Sequence, residues 1–188
     1  MRHVIVALGG NVSSKWGNPQ HTLAAALNKM SAAGVGVKSK SALYLTLPQG
    51  GGRQAPFINA VAVVAPNMGP AAFLRLLKRL EQEAGRRLGR HWGPRPLDLD
   101  ILSAGGVLGG RARGRRASGR LILPHPEIHR RAFVLVPLAD VAPHWVHPGL
   151  HRSVRQMLQS PRVQRQLTGI RRLDRPPAFD RRYSWRCP

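Results

Sequence analysis

Residues 92–102 read Trp-Gly-Pro-Arg-Pro-Leu-Asp-Leu-Asp-Ile-Leu. From Leu97 onward, apolar and acidic residues alternate, which is the pattern of a strand with one buried face. Residues i and i+2 of a strand project from the same face and lie about 6.6 Å apart along it. We therefore expect Asp98 and Asp100 to project together, while the neighbouring leucines enter the core.

The segments on either side of this strand predict further strands and helices. Period-two patterns and short apolar runs predict strands at residues 3–8, 35–45, 57–64, 97–102 and 121–123. Helical spacing of apolar residues predicts helices at 18–33, 70–87, 132–140 and 150–159, with a short turn at 126–131. The order β-α-β-β-α-β is that of the ferredoxin-like arrangement. We therefore predict an α+β fold in three layers, with helices on an antiparallel or mixed sheet.

The length and the composition indicate one domain with a basic extension. A chain of 188 residues with 43% hydrophobic residues suits a single packed core. Residues after 160 are polar, rich in arginine and proline, and weakly periodic. We predict a folded domain over residues 1–160 and a partly disordered tail over 161–188. The Gly- and Arg-rich segment 105–119 is predicted to be a mobile loop.

The sequence predicts a cytoplasmic protein. Its apolar runs are shorter than the roughly 20 residues that span a bilayer. The first residues lack the pattern of a signal peptide. The single cysteine, Cys187, has no partner for an internal disulfide, which suits a reducing compartment.

The charge of the chain is strongly positive. It has 30 Lys and Arg residues against 8 Asp and Glu residues, for a net charge of +22. An excess of this size indicates either a well-solvated Arg-rich surface or a polyanionic partner such as a nucleic acid or a nucleotide. Composition alone does not distinguish these alternatives.

The acidic pair is the strongest indication of chemistry. Two carboxylates on a rigid strand can bind hard cations such as Mg²⁺. An isolated Asp-x-Asp pair more often only solvates an edge strand, but here a Gly-Pro turn and Arg95 precede it. Further arginines, whose guanidinium groups bind phosphate oxygens, lie just upstream at Arg86, Arg87 and Arg90. Together these residues indicate a metal–phosphate site.

The segment 92–100 resembles the signature of the 6-hydroxymethyl-7,8-dihydropterin pyrophosphokinases. Other segments resemble this family in the same order, at residues 7–11, 57–61, 80–86, 123–126 and 131–138. The resemblance covers about residues 3–148. It implies an ATP- and Mg²⁺-dependent transferase that gives AMP and the pterin diphosphate in tetrahydrofolate biosynthesis.

The resemblance also implies a role for individual residues. The implied catalytic residues are Arg86, Trp92, Arg95, Asp98 and Asp100, of which Asp98 and Asp100 hold two Mg²⁺ ions. The implied pterin-binding residues are Thr46, Gln49, Phe57, Asn59 and Phe133. The implied ATP-binding residues are Glu81, Arg86, Ile101, Arg120, His125 and Arg131. The implied protein is a monomer that can associate with the next enzyme of the folate pathway.

The sequence departs from the family pattern at several loop positions. Leu88 stands where the family often has a second arginine, His91 replaces a common arginine, and Leu47 replaces a common proline. Loops tolerate such variation, so these changes bear on ATP affinity and loop closure more than on the reaction. Arg90 is our candidate to replace the missing guanidinium group.

Other interpretations of these residues remain open at this point. Phe57 and Phe133 could be ordinary core aromatics, and Asn59 a hydrogen-bonded residue at a strand end. The charge also suits an RNA-recognition domain on a ferredoxin-like sheet, although only 5% of the residues are aromatic. A relative that binds pterin without catalysis is a further alternative, which the presence of both aspartates disfavours.

Overall fold

A six-stranded antiparallel sheet forms the centre of the molecule. The computed structural model describes residues 3–48, 54–86, 93–105 and 122–173. The strands are β1 (Val4–Gly10), β2 (Val35–Lys40), β3 (Leu43–Thr46), β4 (Phe57–Pro66), β5 (Asp98–Ala104), β6 (Val146–His147), β7 (Arg152–Ser153) and β8 (Ile170–Leu173). The order across the sheet is β5-β1-β4-β3-β8, with β2 also paired to β4, while β6 and β7 form a separate hairpin.

Helices cover both faces of the sheet. They are α1 (Pro19–Ala32), α2 (Pro70–Glu83), α3 (Ala132–Val141), α4 (Val154–Leu158) and α5 (Pro161–Leu167), with a 3-10 turn at Ile128–Arg130. A first apolar cluster joins α1 and α2 to one face through residues such as Leu23 and Phe73. A second cluster joins α3, α4 and α5 to the other face through residues such as Leu135 and Trp145. The predicted three-layer α+β fold is therefore confirmed.

Local sequence signals explain where the two long helices begin. The Asn18 side chain accepts a hydrogen bond from the His21 amide at 3.0 Å, and Pro19 occupies the first turn of α1. Gly34 follows α1 with a φ of +81°, a conformation that glycine adopts without strain. Pro70 begins α2 in the same way. Both predicted helices are thus confirmed, with α2 ending earlier, at Glu83.

Three predicted elements differ from the structure. The strand predicted at 35–45 is two strands, because the register against β4 shifts between Val37 and Ser39 and the Ser41 hydroxyl accepts from the Val61 amide. Residues 122–123 are not in a strand. The Leu102 carbonyl of β5 accepts from the His125 amide, rather than from a residue of the predicted strand. The helix predicted at 150–159 is only α4, which begins after a capping box.

The first part of the segment predicted to be a partly disordered tail is ordered. Residues 161–173 form α5 and β8 and complete one edge of the sheet. Val163 is buried in the second cluster and Ile170 packs against it. The two exposed arginines of β8 conceal this packing in the sequence, because they leave only Ile170 and Leu173 as apolar positions of the strand. Residues 174–188 and the predicted loop at 106–119 lie outside the described residues.

None of the helices in the four described ranges has both the length and the apolar character needed to cross a bilayer. The predicted cytoplasmic location remains a prediction.

Candidate active site

Strand β5 carries the acidic pair along one edge of the sheet. Leu99 and Ile101 are buried in the first cluster, whereas Asp98 and Asp100 alternate with them and are half-buried. Asp100 lies opposite Ala7 of β1, which packs on the second cluster. Both carboxylates therefore belong to the face of the sheet that α3 covers.

Two arginines bind both oxygens of the Asp98 carboxylate. Arg86 Nη1 lies 2.5 Å from Oδ1, and Arg95 Nη1 lies 2.6 Å from Oδ2. Burial would raise the pKa of Asp98, but the positive charges of Arg95 and Arg86 outweigh burial and lower it. Asp98 is therefore an anion at neutral pH, held between two guanidinium groups.

Glu81 fixes the position of β5 from the end of α2. Its Oε1 accepts from the Leu99 amide at 2.8 Å and from Lys78 Nζ at 2.7 Å, and its Oε2 pairs with Arg86 at 2.8 Å. Its side chain is only 4% exposed. Burial raises the pKa of Glu81 although Lys78 and Arg86 oppose that shift. The structure thus shows Glu81 as a support for Asp98 and Arg86, and its contact with ATP stays a prediction.

The end of β1 holds the loop that precedes the acidic pair. The Asn11 side-chain Oδ1 accepts from the backbone amide of Arg95 at 2.7 Å, and the backbone amide of Asn11 donates to the Arg95 carbonyl at 3.0 Å. A Cβ atom on Gly10 would lie 2.6 Å from the carbonyl oxygen of Pro96. Sequence reasoning identified Gly10 and Asn11 only as a turn, and nothing in the local pattern indicates that they position Arg95.

A row of polar residues crosses the sheet from Asp98. Asp98 lies opposite Gly9, Gly9 opposite Asn59, and Asn59 opposite Tyr44. The Asn59 amide donates to Thr46 Oγ1 at 2.7 Å. A Cβ atom on Gly9 would lie only 2.7 Å from Asn59 Oδ1, so glycine provides the space for this amide. With strands about 4.8 Å apart, Asn59 and Asp98 are about 10 Å apart across the sheet.

Phe57 and Phe133 approach this row from two elements. Phe57 lies two residues before Asn59 on β4, hence on the same face, and is half-buried. Phe133 is the second residue of α3 and packs against the second cluster. The guanidinium carbon of Arg131 lies 5.7 Å from the centre of the Phe133 ring, within the range of a cation–π contact. Both rings are partly open to solvent, unlike a fully buried core aromatic such as Phe73.

Some of the remaining predicted site residues lie within the described ranges and others lie outside them. His125 lies beside the end of β5, since its amide donates to the Leu102 carbonyl at 2.8 Å, and its Nδ1 accepts from the Glu127 amide at 3.2 Å. The Ile101 side chain is buried in the first cluster, 3% exposed, so only its backbone is left for a contact with ATP. Three predicted site residues lie outside the described residues: Gln49, Trp92 and Arg120. So do Leu88, His91 and Arg90.

The donor atoms at β5 fit a nucleotide-bound Mg²⁺ ion. Carboxylate oxygens are ligands that this ion prefers, and it is usually held by one or two carboxylates together with phosphate oxygens and water. No group of three or more His, Cys, Asp or Glu residues able to hold a metal occurs in the described ranges. Asp98 and Asp100 thus offer carboxylate oxygens of the type that this ion prefers.

Comparison with known proteins decides the family. The model of the 7,8-dihydro-6-hydroxymethylpterin-pyrophosphokinase family matches residues 5–143, from the second residue of β1 to just beyond α3. The chain belongs to this family. The resemblance inferred from the sequence is confirmed, and residues 144–173 lie beyond the part that the pyrophosphokinase family model matches.

Relatives in the pyrophosphokinase family include enzymes of similar length. A 2-amino-4-hydroxy-6-hydroxymethyldihydropteridine pyrophosphokinase of Pseudomonas aeruginosa is 38% identical over 144 residues, covering 76% of this chain and 82% of its own. One from Synechocystis is 34% identical, covering 82% and 74%. A mitochondrial folate synthesis bifunctional protein of Arabidopsis thaliana is 37% identical over 78% of this chain, which spans only 27% of that protein.

A solved structure has the same fold. The HPPK-DHPS protein of Plasmodium falciparum aligns with a TM-score of 0.68 over 90% of this chain and 44% of its own, at 15% identity. At this identity the likeness supports the fold alone. The aligned 90% is a larger share of the chain than the family model matches.

Proposed function

We propose that this chain transfers the pyrophosphoryl group of ATP to the hydroxymethyl group of 6-hydroxymethyl-7,8-dihydropterin. Its membership of the pyrophosphokinase family supports this reaction, as do the names of relatives that it matches over most of their length. The observation that carries the proposal is the Asp98–Asp100 pair on β5, with Arg86 and Arg95 bound to Asp98.

The aspartates, through bound Mg²⁺, and the arginines would both neutralise charge on the phosphates. Mg²⁺ ions held by Asp98 and Asp100 would neutralise negative charge on the phosphate oxygens. Both oxygens of Asp98 accept from arginines, so a cation there would compete with two guanidinium groups for this carboxylate. Arg86 also pairs with Glu81, and the phosphate oxygens of ATP would offer both arginines a further partner that suits their planar donor groups. Arg86 and Arg95 would thus bind Asp98 in the free protein and phosphate oxygens once ATP is bound.

The polar row and the two phenylalanines would bind the pterin. A flat heterocycle stacks on aromatic rings, and Asn59 and Thr46 offer hydrogen-bonding groups at its edge. The substrate hydroxymethyl oxygen would then bond to the β-phosphorus and lose its proton to solvent, while the bond from that phosphorus to the α,β-bridging oxygen breaks. AMP leaves with that oxygen. Such a transfer asks mainly for alignment and charge neutralisation.

The proposal is tested by incubating the protein with ATP, Mg²⁺ and the hydroxymethyl-dihydropterin and measuring AMP. We expect AMP release that requires both substrates. The Asp98→Ala/Asp100→Ala variant should fold and release almost no AMP. Glu83→Gln is the matched control, because Glu83 is an exposed carboxylate whose ion-pair partner among the described residues is Lys29 of α1. Full turnover in the double variant, or RNA binding without ATP consumption in the wild type, would refute the proposal.

We also propose an association with the enzyme that follows in the pathway. The support is that relatives join this domain to others in a single chain, named folate synthesis bifunctional protein in Arabidopsis thaliana and HPPK-DHPS in Plasmodium falciparum. Co-elution of this chain with a separately purified dihydropteroate synthase from the same cells tests it, and independent elution at micromolar concentrations would contradict it.

A further inference from the structure

A cavity of about 230 Å³ lies between the end of β3, the start of α3 and the C-terminal segment. Thr46 and Phe133, both proposed to bind pterin, line one side of it. Arg165, Gln166 and Gly169 line the other side. The second group lies more than 20 residues beyond residue 143, where the family match ends. Part of this cavity wall therefore comes from a segment to which the family match assigns nothing.

The C-terminal segment is firmly attached beside Thr46. Strand β8 pairs with β3, with Ile170 opposite Thr46. The Leu47 amide donates to the Gly169 carbonyl at 3.0 Å, which extends this pairing by one bond. These bonds keep residues 166–169 at the mouth of the cavity.

Gln166 connects this segment to the start of α3. Its Oε1 accepts from the Ala132 amide at 3.1 Å, and its Nε2 donates to the Arg130 carbonyl at 2.9 Å. The two bonded residues flank Arg131. The residue before α3 is Arg131 itself, whose side chain does not cap the helix. Gln166 therefore supplies an acceptor for one of the first amides of α3, which have no partner within the helix.

We propose that Gln166 is a positioning residue for the pterin pocket: it holds the backbone on both sides of Arg131 and so fixes the Phe133 ring against the substrate. This inference rests on the proposed function. Without Gln166, the first turn of α3 loses its only side-chain acceptor among the described residues, and a turn without a cap frays. Phe133 lies in that turn, whereas Asp98, Asp100 and the arginines bound to Asp98 lie on other elements.

The test compares two glutamines of α5. Gln166→Met removes the two hydrogen bonds to the start of α3, and one within α5 to the Arg162 carbonyl at 3.0 Å, while keeping the side-chain volume. Gln164→Met is the matched control, because Gln164 also donates to a backbone carbonyl, that of Leu158 at 2.8 Å, but is exposed and does not line the cavity. We expect Gln166→Met to raise the KM for the pterin about tenfold, the loss of about 1.4 kcal/mol of binding. The kcat at saturating substrate should stay within about twofold, and Gln164→Met should match the wild type.

Amide hydrogen exchange gives a second measurement that does not depend on turnover. Exchange at Ala132 should accelerate in Gln166→Met and not in Gln164→Met, while the central strand β4 stays protected in both. A wild-type KM or unchanged exchange at Ala132 in Gln166→Met would overturn the inference. Failure of the wild type to release AMP would instead refute the proposed function, so the two failures are distinguishable.

Discussion

At the scale of single residues, Glu81 shows how a buried acid can support the strand that carries a site. Strand β5 is an edge strand, and its Leu99 amide and carbonyl point away from β1. Glu81 accepts from that amide and Lys78 donates to that carbonyl at 3.3 Å. The pair thus satisfies the open edge of the strand that carries Asp98.

This arrangement predicts different effects for two substitutions of Glu81. Glu81→Ala leaves the buried Leu99 amide without an acceptor, so we expect the free energy of unfolding to fall by about 2–3 kcal/mol. Glu81→Gln keeps a carbonyl oxygen for that amide, and because burial already disfavours the charged form, its loss should be below about 1 kcal/mol. Urea unfolding of the two variants measures the difference. Equal losses would show that the hydrogen bond to Leu99 is not what Glu81 contributes.

Residues with short-range patterns could be predicted from the sequence, and residues with distant partners could not. The shared face of Asp98 and Asp100 follows from strand geometry alone, and the structure has the same arrangement. Asn11 bonds to Arg95 across 84 positions, and Gln166 bonds to Ala132 across 34. Only the folded chain brings such pairs together, so their roles have no local signal.

At the scale of elements, the end of β1 and the loop before β5 form one unit. Gly10 is the last residue of β1, and the backbone of Pro96 passes close over it. The two bonds between Asn11 and Arg95 then hold the loop in register. The length of β1 thereby sets the position from which Arg95 reaches Asp98.

We predict that Gly10→Ala lowers turnover by moving this loop. The added Cβ would lie 2.6 Å from the Pro96 carbonyl oxygen, a backbone atom that cannot rotate away. Displacement of a positioned group by about 1 Å can cost on the order of 100-fold in rate, so we expect a drop in kcat of about 10- to 100-fold. The drop is measured as AMP release at saturating substrates.

Gly36→Ala is the control for this prediction. Gly36 is also a strand glycine, on β2, but a Cβ there would have its nearest neighbour at 3.7 Å, which is an ordinary contact. Its turnover should equal that of the wild type. If Gly10→Ala also keeps wild-type turnover, the close approach to Pro96 has no part in positioning Arg95.

Element prediction succeeded where a pattern was long and failed where it was short. The stripes of α1 and α2 and the apolar run of β4 predict their elements because many residues repeat one period. Strand β8 has four residues, two of them exposed arginines, and α5 has one buried residue. A segment with so few apolar positions has the sequence pattern of a solvated tail. The pairing with β3 that stabilises it is a tertiary contact, which a local pattern does not show.

At the scale of the whole molecule, the sheet separates two apolar clusters that are covered by different helices. The first cluster lies under α1 and α2, and the second lies under α3, α4 and α5, on the side where the polar row and the cavity lie. The second cluster also contains Trp145, whose ring lies 5.6 Å from that of His147. His147 is 8% exposed, and its Nδ1 accepts from the Gly149 and Leu150 amides. A titratable group is therefore buried beside the second cluster.

This histidine predicts how the stability of the molecule depends on pH. Burial, followed by the charge of His129, lowers the pKa of His147 below its ordinary value of about 6.5. Between these two pKa values the unfolded chain binds a proton that the folded chain does not. The free energy of unfolding should therefore be constant above about pH 6.5 and fall as the pH is lowered, until the folded His147 itself protonates. Urea unfolding between pH 8 and pH 5 measures this slope.

His147→Asn separates this histidine from the other titrating groups. The asparagine oxygen can replace Nδ1 as the acceptor for the Gly149 and Leu150 amides but does not titrate, so the fall below about pH 6.5 should become shallower. His151→Asn is the control, because His151 is exposed in the same turn and its φ of +52° suits asparagine. That variant retains His147 and with it the wild-type slope. A slope that His147→Asn leaves unchanged would mean that a group other than His147 binds the extra proton in the unfolded chain. Burial of His147 beside the second cluster would then not be what lowers the free energy of unfolding in acid.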